Sequence, residues 1–336
     1  MLTKTIKKIV EKEIGTPLTN VQEINAGLNN RLFKVVTSEE KYLAKLYRKD
    51  ANIMLKREFD ALKYLKSQDI KNVPTAYFKD DKHNFAVYSF EEGKVKNPSQ
   101  ATRKDLNEMA YFIACIHKLQ PKEIRKKFLA ANFACFSIND YLKNIYFRLD
   151  KFSVYAKSKN IPTIINKLKK EGITTRVEDL VQNVLAGITD DTLTKKLSIG
   201  NERLSPVDFG VHNILFKKDG SLCFIDFEYF GRDDPVRAVA DFLMHDRSLD
   251  IKLELKKYFQ SRYLEYIGAD RKYRKRLELV KKIIDIEWLA IYLYSMTPDK
   301  IKIRKFSDTN FDRDKYLDKQ SLKLYSRLMQ IENHQG

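Results

Sequence analysis

The fold is decided by one stretch of the chain, Ser205-Pro-Val-Asp-Phe-Gly-Val-His-Asn213 followed by Ile214-Leu-Phe-Lys-Lys-Asp-Gly-Ser-Leu-Cys-Phe-Ile-Asp226. Two short apolar runs flank Asp219-Gly220, and Asp-Gly between apolar runs is a strong signal for a two-residue β-hairpin turn. Facing positions of such a hairpin have a constant sum of residue numbers, so Asn213 is predicted to face Asp226. Their Cβ atoms would lie about 4.5 to 5.5 Å apart on one face of the ribbon.

An amide oxygen beside a carboxylate offers the hard ligands that Mg²⁺ prefers. Asn and Asp are also ordinary residues at strand ends, so this pair alone leaves a purely structural explanation open. Upstream, Asp208 stands five residues before Asn213. This spacing matches the D-x-x-x-x-N pattern of a kinase catalytic loop, in which the aspartate accepts the proton of the acceptor hydroxyl and the asparagine holds magnesium. The spacing and the hairpin together favour a phosphoryl-transfer site.

Towards the N-terminus, residues 21 to about 90 are predicted to form an antiparallel meander with one inserted helix. Strands are predicted over 21–25, 31–36 and 41–47, the helix ends near Ser67, and two further strands lie within 75–90. Beyond Gly93 the apolar spacing is mostly helical, apart from the hairpin. The pattern predicts an α+β fold with a nucleotide-binding lobe at 1–92 and a catalytic and acceptor-binding lobe at 93–336.

Two charged residues of the first lobe fit a phosphoryl-transfer site. Lys45 lies in the middle of the strand Tyr42-Leu-Ala-Lys-Leu46, and Glu58 lies in the following helix. An ion pair between them would fix the ammonium group, which could then neutralise nucleotide phosphates. Without the downstream motif, a solvated edge-strand lysine and a surface glutamate explain the same residues equally well. Gly27 could bring backbone N–H groups close to phosphate, although one glycine is a weak signal.

Taken in order along the chain, these segments resemble the aminoglycoside phosphotransferase and choline kinase superfamily, small-molecule kinases that share the bilobal protein-kinase fold. The resemblance covers roughly residues 20 to 245. It is carried by Asn25-Ala-Gly-Leu-Asn-Asn-Arg31, Ala44-Lys-Leu46, Arg57-Glu58, Ala114-Cys-Ile-His117, Ser205–Asn213, and Ile225-Asp-Phe-Glu-Tyr229 with Asp233-Asp-Pro235. The stretch from the catalytic loop to Tyr229 is its most specific part.

The resemblance implies a kinase that uses ATP or GTP with Mg²⁺ and a small hydroxyl-bearing acceptor. Asp208 would be the catalytic base, and Asn213 and Asp226 would hold the magnesium ion. Lys45 would bind nucleotide phosphate, and Glu58 would pair with Lys45. The remaining nucleotide-binding positions implied by the resemblance are Gly27, Asn29 and Asn30 near the phosphates and Ser89, Phe90 and Glu91 in the hinge segment next to adenine.

Three positions depart from the superfamily pattern. The catalytic loop usually begins His-Gly-Asp, whereas this chain has Pro206-Val207-Asp208, so a hydrogen bond that normally braces the loop is missing. Leu28 stands where another glycine is common. The acidic residue expected soon after Pro235 appears only at Asp241.

The composition and charge limit the classes of partner that the protein is expected to bind. The 336 residues include 63 Lys and Arg against 45 Asp and Glu, a net charge of +18 that attracts anions. No zinc-finger or ribonucleoprotein signature accompanies this charge, so we do not expect nucleic acid as the main partner. The three cysteines are far apart, which argues against a disulfide framework or a zinc site. The N-terminus has no signal-peptide pattern and no apolar run approaches about 18 residues. We therefore expect a cytoplasmic protein without a membrane span.

Three functions remain open on the sequence. The favoured one is an ATP-dependent phosphotransferase that moves the γ-phosphate to a hydroxyl of a small molecule, with a sugar or phosphosugar as the acceptor class. The altered start of the catalytic loop instead suggests a catalytically impaired nucleotide-binding regulator. The net charge of +18 suggests a basic module for RNA or an anionic surface.

Overall fold

The computed structural model describes residues 4–24, 29–119, 123–308 and 310–335. The chain divides into two compact units, and neither is one continuous segment. The first unit contains residues 1–101, 210–231 and 303–311, and the second contains 102–209, 232–302 and 312–336. The α+β class predicted from the sequence is confirmed.

The first unit is built on a five-stranded antiparallel sheet. Its elements are helix α1 (Lys4–Ile14), strands β1 (Asn20–Ile24), β2 (Arg31–Val36) and β3 (Lys41–Leu46), helix α2 (Asn52–Ser67), and strands β4 (Ala76–Asp80) and β5 (Phe85–Ser89). The strand order is β1-β2-β3-β5-β4. The sequence therefore predicts the meander, the inserted helix and the two later strands correctly, with ends that differ by one or two residues.

The alternation of side chains along β3 determines where its lysine points. Helix α1 packs Ile6 and Val10 into a core on one face of the sheet, together with Tyr42 and Ala44 of β3. Because successive strand side chains point to opposite faces, Lys45 points to the other face. That side chain is buried, and so is Glu58 on α2.

The hairpin differs from the prediction by one residue in register. Strands β7 (Ile214–Phe216) and β8 (Leu222–Phe224) pair with Ile214 opposite Phe224. Asn213 consequently lies opposite Ile225, whose N–H donates to the Asn213 carbonyl at 2.9 Å. The predicted facing of Asn213 and Asp226 is therefore wrong.

The turn itself explains the shift. The Lys217 N–H donates to the Ser221 carbonyl at 3.0 Å, which leaves three residues in the loop instead of two. Gly220 has a φ of 80°, a left-handed conformation. A loop with a left-handed glycine in its third position is the common three-residue hairpin connection, and it accommodates the same Asp-Gly pair one position later.

The second unit is mainly helical. The helices after β5 are α3 (Arg103–Lys118), α4 (Ile124–Lys127), α5 (Ile138–Ala156), α6 (Thr163–Lys170), α7 (Ile173–Leu185), α8 (Asp190–Thr194), α9 (Pro235–Met244), α10 (Leu253–Tyr266), α11 (Arg271–Ser295), α12 (Pro298–Ser307) and α13 (Arg313–Gln335). Two short strands, β6 (Arg203–Ser205) and β9 (Gly231–Asp233), pair beside them. Helix α11 packs against α5, α9 and α13 and forms the centre of this unit.

Cys115, Cys135 and Cys223 are free thiols. Within the described ranges, no helix combines the length and the apolar composition that crossing a membrane requires.

Candidate active site

The ammonium group of Lys45 is surrounded by carboxylates in the first unit. Lys45 Nζ lies 2.7 Å from Glu58 Oε2, 2.7 Å from Asp226 Oδ1 and 3.4 Å from Glu228 Oε2. Three of these four side chains are nearly inaccessible, whereas the Asp226 side chain is 36% exposed. The structure therefore brings together three predicted site residues and presents one carboxylate, that of Asp226, to solvent.

Glu58 is fixed by a second contact besides Lys45. The Tyr47 hydroxyl donates to Glu58 Oε2 at 2.6 Å, and the hydroxyls of Tyr47 and Tyr88 lie 2.9 Å apart. Both tyrosines are buried, and burial raises the pKa of each well above its usual value. They are therefore neutral hydroxyls, one of which holds the glutamate in place.

Glu228 is a member of this cluster to which the sequence assigns no role of its own. Its Oε1 accepts from Asn29 Nδ2 at 2.8 Å, and its Oε2 accepts from Asn30 Nδ2. Asn29 Nδ2 also lies 3.0 Å from the Tyr229 hydroxyl oxygen. Both asparagines were predicted at the nucleotide phosphates; here their amides hold Glu228, and a nucleotide contact stays a prediction. The Asp-x-Glu spacing of residues 226 and 228 gives no simple argument about faces, because the chain is not extended here: Asp226 has a φ of 67°.

The charges in this cluster shift one another strongly. Burial and the negative charge of Asp226 raise the pKa of Glu228 to about 7, against the opposing effect of Lys45. Burial also raises the pKa of Glu58 against the effect of Lys45. Burial alone would lower the pKa of Lys45, but the three carboxylates outweigh it and raise that pKa well above its usual value. Three carboxylates thus share one positive charge.

This donor set fits a magnesium ion. One oxygen atom from each of Glu58, Asp226 and Glu228 lies within 4.8 Å of the others. Mg²⁺ is bound by one or two carboxylates and completes its shell with water and phosphate oxygens. The exposed carboxylate of Asp226 and the excess negative charge around Lys45 meet that requirement. Asn213 lies at the end of the 3₁₀ turn Val211–Asn213. Its role as a magnesium ligand stays a prediction.

The segment predicted to contact adenine is tied into the first unit. The N–H of Ser89 donates to the Thr75 carbonyl at 2.8 Å, and the N–H of Phe90 donates to the Lys41 carbonyl at 3.3 Å. Glu91 accepts from Ser89 Oγ and from Lys217 Nζ, each at 2.6 Å. Because the N–H groups of Ser89 and Phe90 already donate to backbone carbonyls, an adenine contact at these two residues stays a prediction and would not use these N–H groups.

Two predicted site residues remain, Gly27 and Asp208. Gly27 falls outside the described residues. Asp208 belongs to the second unit, where its Oδ1 lies 3.5 Å from His245 Nε2 and its side chain is 32% exposed. The preceding Val207 has a φ of 66°, a left-handed conformation that is unusual for a β-branched residue. The loop thus presents the Asp208 carboxylate on a strained backbone.

Comparisons with known proteins agree with this arrangement. Residues 20–154 match the phosphotransferase enzyme family. No curated protein sequence matches the chain significantly. The fold is shared with the streptomycin–ATP ternary complex of APH(2″)-IIa, with a TM-score of 0.62 and 17% identity over 98% of this chain and 97% of the other.

Two kinases of other small molecules have the same fold. The choline kinase LicA from Streptococcus pneumoniae is 16% identical, with a TM-score of 0.61 over 97% of this chain and 100% of LicA. The ethanolamine kinase of Plasmodium vivax is also 16% identical, with a TM-score of 0.61 over 95% of this chain and 84% of the other. Over almost its whole length the chain therefore shares the fold of these small-molecule kinases, and its residues 20–154 match the phosphotransferase enzyme family.

Proposed function

We propose that the protein transfers the γ-phosphate of ATP, with Mg²⁺, to a hydroxyl group of a small molecule. The observation that carries this proposal is the cluster in which Lys45 contacts Glu58, Asp226 and Glu228. A purely structural buried ion pair needs one carboxylate per ammonium group. Two surplus carboxylates, one of them facing solvent, are explained by a bound divalent cation.

Each residue has a distinct task in this reaction. Lys45 binds phosphate oxygens, and Glu58, itself held by Tyr47, keeps the ammonium group in place. Asp226 is the main magnesium ligand and Asn213 the second. When bound, Mg²⁺ supplies positive charge to the phosphates of the nucleotide. Asp208 accepts the proton of the acceptor hydroxyl and orients its oxygen for attack.

The acceptor class rests on charge and on the relatives. The proteins of the same fold include a phosphotransferase in complex with streptomycin, a choline kinase and an ethanolamine kinase, so related folds bind small hydroxyl-bearing molecules. The net charge of +18 makes a neutral or anionic acceptor more favourable than a polycation. We therefore propose a sugar or a phosphosugar as the acceptor.

The test is magnesium-dependent ATP turnover across a panel of hydroxyl-bearing metabolites that includes sugars, phosphosugars, amino alcohols and aminoglycosides. Asp208→Asn should lower kcat by at least about 10²-fold and leave ATP binding nearly unchanged, because a general base contributes of order 10² to 10⁴. Lys45→Ala should weaken ATP binding. The matched control is Lys41→Ala on the same strand, whose side chain is 48% exposed and pairs only at the surface with Glu92.

The other functions give different outcomes. ATP binding without turnover on any acceptor would support a nucleotide-binding regulator and contradict the proposed kinase. Salt-sensitive RNA binding without ATP binding would support the basic binding module. A near-normal rate in Asp208→Asn would remove Asp208 from the mechanism.

A further inference from the structure

His245 follows helix α9 and caps the 3₁₀ turn Asp246–Ser248 in the second unit. Its Nδ1 accepts a hydrogen bond from the Arg247 backbone N–H at 2.9 Å. A neutral imidazole carries its proton on the nitrogen that does not accept, so this bond assigns the proton to Nε2. The Nε2–H group is therefore a donor whose direction is set by the cap.

The carboxylate of the catalytic loop lies close to that donor, and a ring nitrogen of His212 lies within 4.8 Å of both groups. His245 Nε2 lies 3.5 Å from Asp208 Oδ1. This separation is at the long end for a hydrogen bond, and catalytic hydrogen bonds commonly tighten only in the substrate complex. The imidazole is 7% exposed, whereas the aspartate is 32% exposed. The buried Nε2–H group of His245 thus lies next to one oxygen of the Asp208 carboxylate, which is itself partly exposed to solvent.

The imidazole ring is held by aromatic packing. The ring of Trp288 on α11 meets the His245 ring edge to face, with centroids 4.5 Å apart. Trp288 Nε1 donates to Asp241 Oδ1 at 3.0 Å, and Asp241 lies one helical turn before His245 on α9. The guanidinium group of Arg327 lies over the Trp288 ring, 5.7 Å from its centroid. These contacts restrict the imidazole to one orientation.

We propose that His245 is the positioning residue of Asp208, an inference that rests on the proposed kinase activity. The Nε2–H group binds Oδ1 and leaves Oδ2 to take the proton of the acceptor hydroxyl. The hydroxyl oxygen then forms the new bond to the γ-phosphorus, and ADP leaves with the electron pair of the broken P–O bond. Pro206, which starts the catalytic loop, has no side-chain donor for this task, and the end of α9 supplies one instead.

Two substitutions at His245 separate this role from simple capping. His245→Asn keeps an acceptor for the Arg247 N–H, because asparagine is a good cap, but has no group at the position of Nε2. His245→Gln loses the cap, but its amide reaches the position of Nε2 and can donate to Asp208. If His245 positions Asp208, the His245→Gln variant should be more active than His245→Asn. If His245 acts only as a cap, His245→Asn should be the more active variant.

The kinetic readout is phosphate release from Mg²⁺-ATP alone, with water as the acceptor. His245→Asn should lower kcat by about 10- to 100-fold, the cost of misplacing a catalytic group by about 1 Å. KM for ATP should stay unchanged, because the proposed nucleotide-binding residues lie in the first unit. His245→Gln should recover most of the lost rate. A wild-type rate in His245→Asn, or a larger loss in His245→Gln, would overturn the proposal.

A second readout does not depend on turnover. Imidazole ¹⁵N spectra should show His245 protonated on Nε2, and Asp208→Asn should shift the Nε2 and Hε2 resonances. The matched control is Asp250→Asn, an exposed carboxylate beyond the same 3₁₀ turn. Protonation on Nδ1, or spectra insensitive to Asp208, would overturn the contact whatever the activity. Absence of phosphate transfer from the wild type to water and to every acceptor of the panel would refute the kinase activity, whereas the ¹⁵N spectra would still decide the contact between His245 and Asp208.

Discussion

Lys45 shows how much a single buried charge requires of its surroundings. Desolvating an ammonium group costs several kcal/mol, and the charge persists only where carboxylates and hydrogen bonds replace water. The sequence indicates Lys45 because a lysine in mid-strand is unusual, and it indicates Glu58 because the next helix follows directly. Glu228 escapes this reasoning, since its contact with Lys45 depends on a segment far along the chain.

His117 is a buried histidine on helix α3. Its Nδ1 lies 2.7 Å from the Tyr263 hydroxyl oxygen, and its Nε2 has no hydrogen-bond partner within the described part of the chain. Burial, assisted by the nearby charge of Arg203, lowers the pKa of His117 to about 3. The residue is therefore a neutral core histidine, as its position on the apolar face of α3 predicts.

This pKa leads to a prediction for acid stability. Below a pH of about 6.5 the unfolded chain binds a proton at His117 that the folded chain does not bind, so the folded state loses about 1.4 kcal/mol per pH unit. His117→Gln should remove this loss. Urea unfolding at pH 7 and pH 5 should show a decrease smaller by about 2 kcal/mol in the variant. Equal decreases in both proteins would mean that His117 is protonated in the folded state.

Among the elements, the β7–β8 hairpin separates what sequence can and cannot specify. The two apolar runs and the Asp-Gly pair locate both strands and the turn. Whether the turn contains two or three residues depends on backbone dihedral angles at Gly220 that many sequences tolerate. A difference of one residue moves a side chain to the other face of a ribbon. The existence of the hairpin was therefore predictable, and its register was not.

The same hairpin is packed against the chain just after β5. Gly93 has no side chain, and a Cβ added there would lie 2.9 Å from Leu215 Cβ and 3.1 Å from the Phe216 carbonyl oxygen. Neither atom can rotate away. Lys94 and Phe216 exchange backbone hydrogen bonds of 3.1 and 2.9 Å directly beside this contact.

Gly93→Ala should therefore destabilise the protein by about 1 to 3 kcal/mol, the usual cost of overpacking. Gly200→Ala is the matched control, because a Cβ at Gly200 would meet no atom within 4 Å. Urea unfolding of both variants measures the difference. The close contact is refuted if the two alanine variants are equally stable.

For the whole molecule, the division into units does not follow the order of the chain. The segment 210–231 lies beyond more than a hundred residues of the second unit and nevertheless belongs to the first. It contributes Asp226 and Glu228 to Lys45, and its Phe224 N–H donates to the Asn72 carbonyl at 2.9 Å. The predicted boundary after residue 92 divides the sequence at a point where the first unit is still incomplete.

A fragment of residues 1–101 should therefore not fold stably by itself, because it lacks two of the three carboxylates around Lys45 and the backbone partners of Asn72 and Lys94. Joining 210–231 to this fragment through a long flexible linker should restore cooperative urea unfolding, followed by circular dichroism. The matched control carries the 22 residues of the segment 210–231 in scrambled order. Cooperative unfolding of the fragment without this segment would show that 1–101 is an independent domain.

The sequence by itself determined the α+β class, the meander, the hairpin and the residues that we propose for the chemistry. These features depend on local periodicity and on short spacings, such as the five residues from Asp208 to Asn213. Only the tertiary structure decided the register of the hairpin, the membership of 210–231 in the first unit, and the contacts of Glu228 and His245. Those depend on turn dihedral angles and on contacts between distant segments, whose energies are set by packing and burial and leave no local pattern in the sequence.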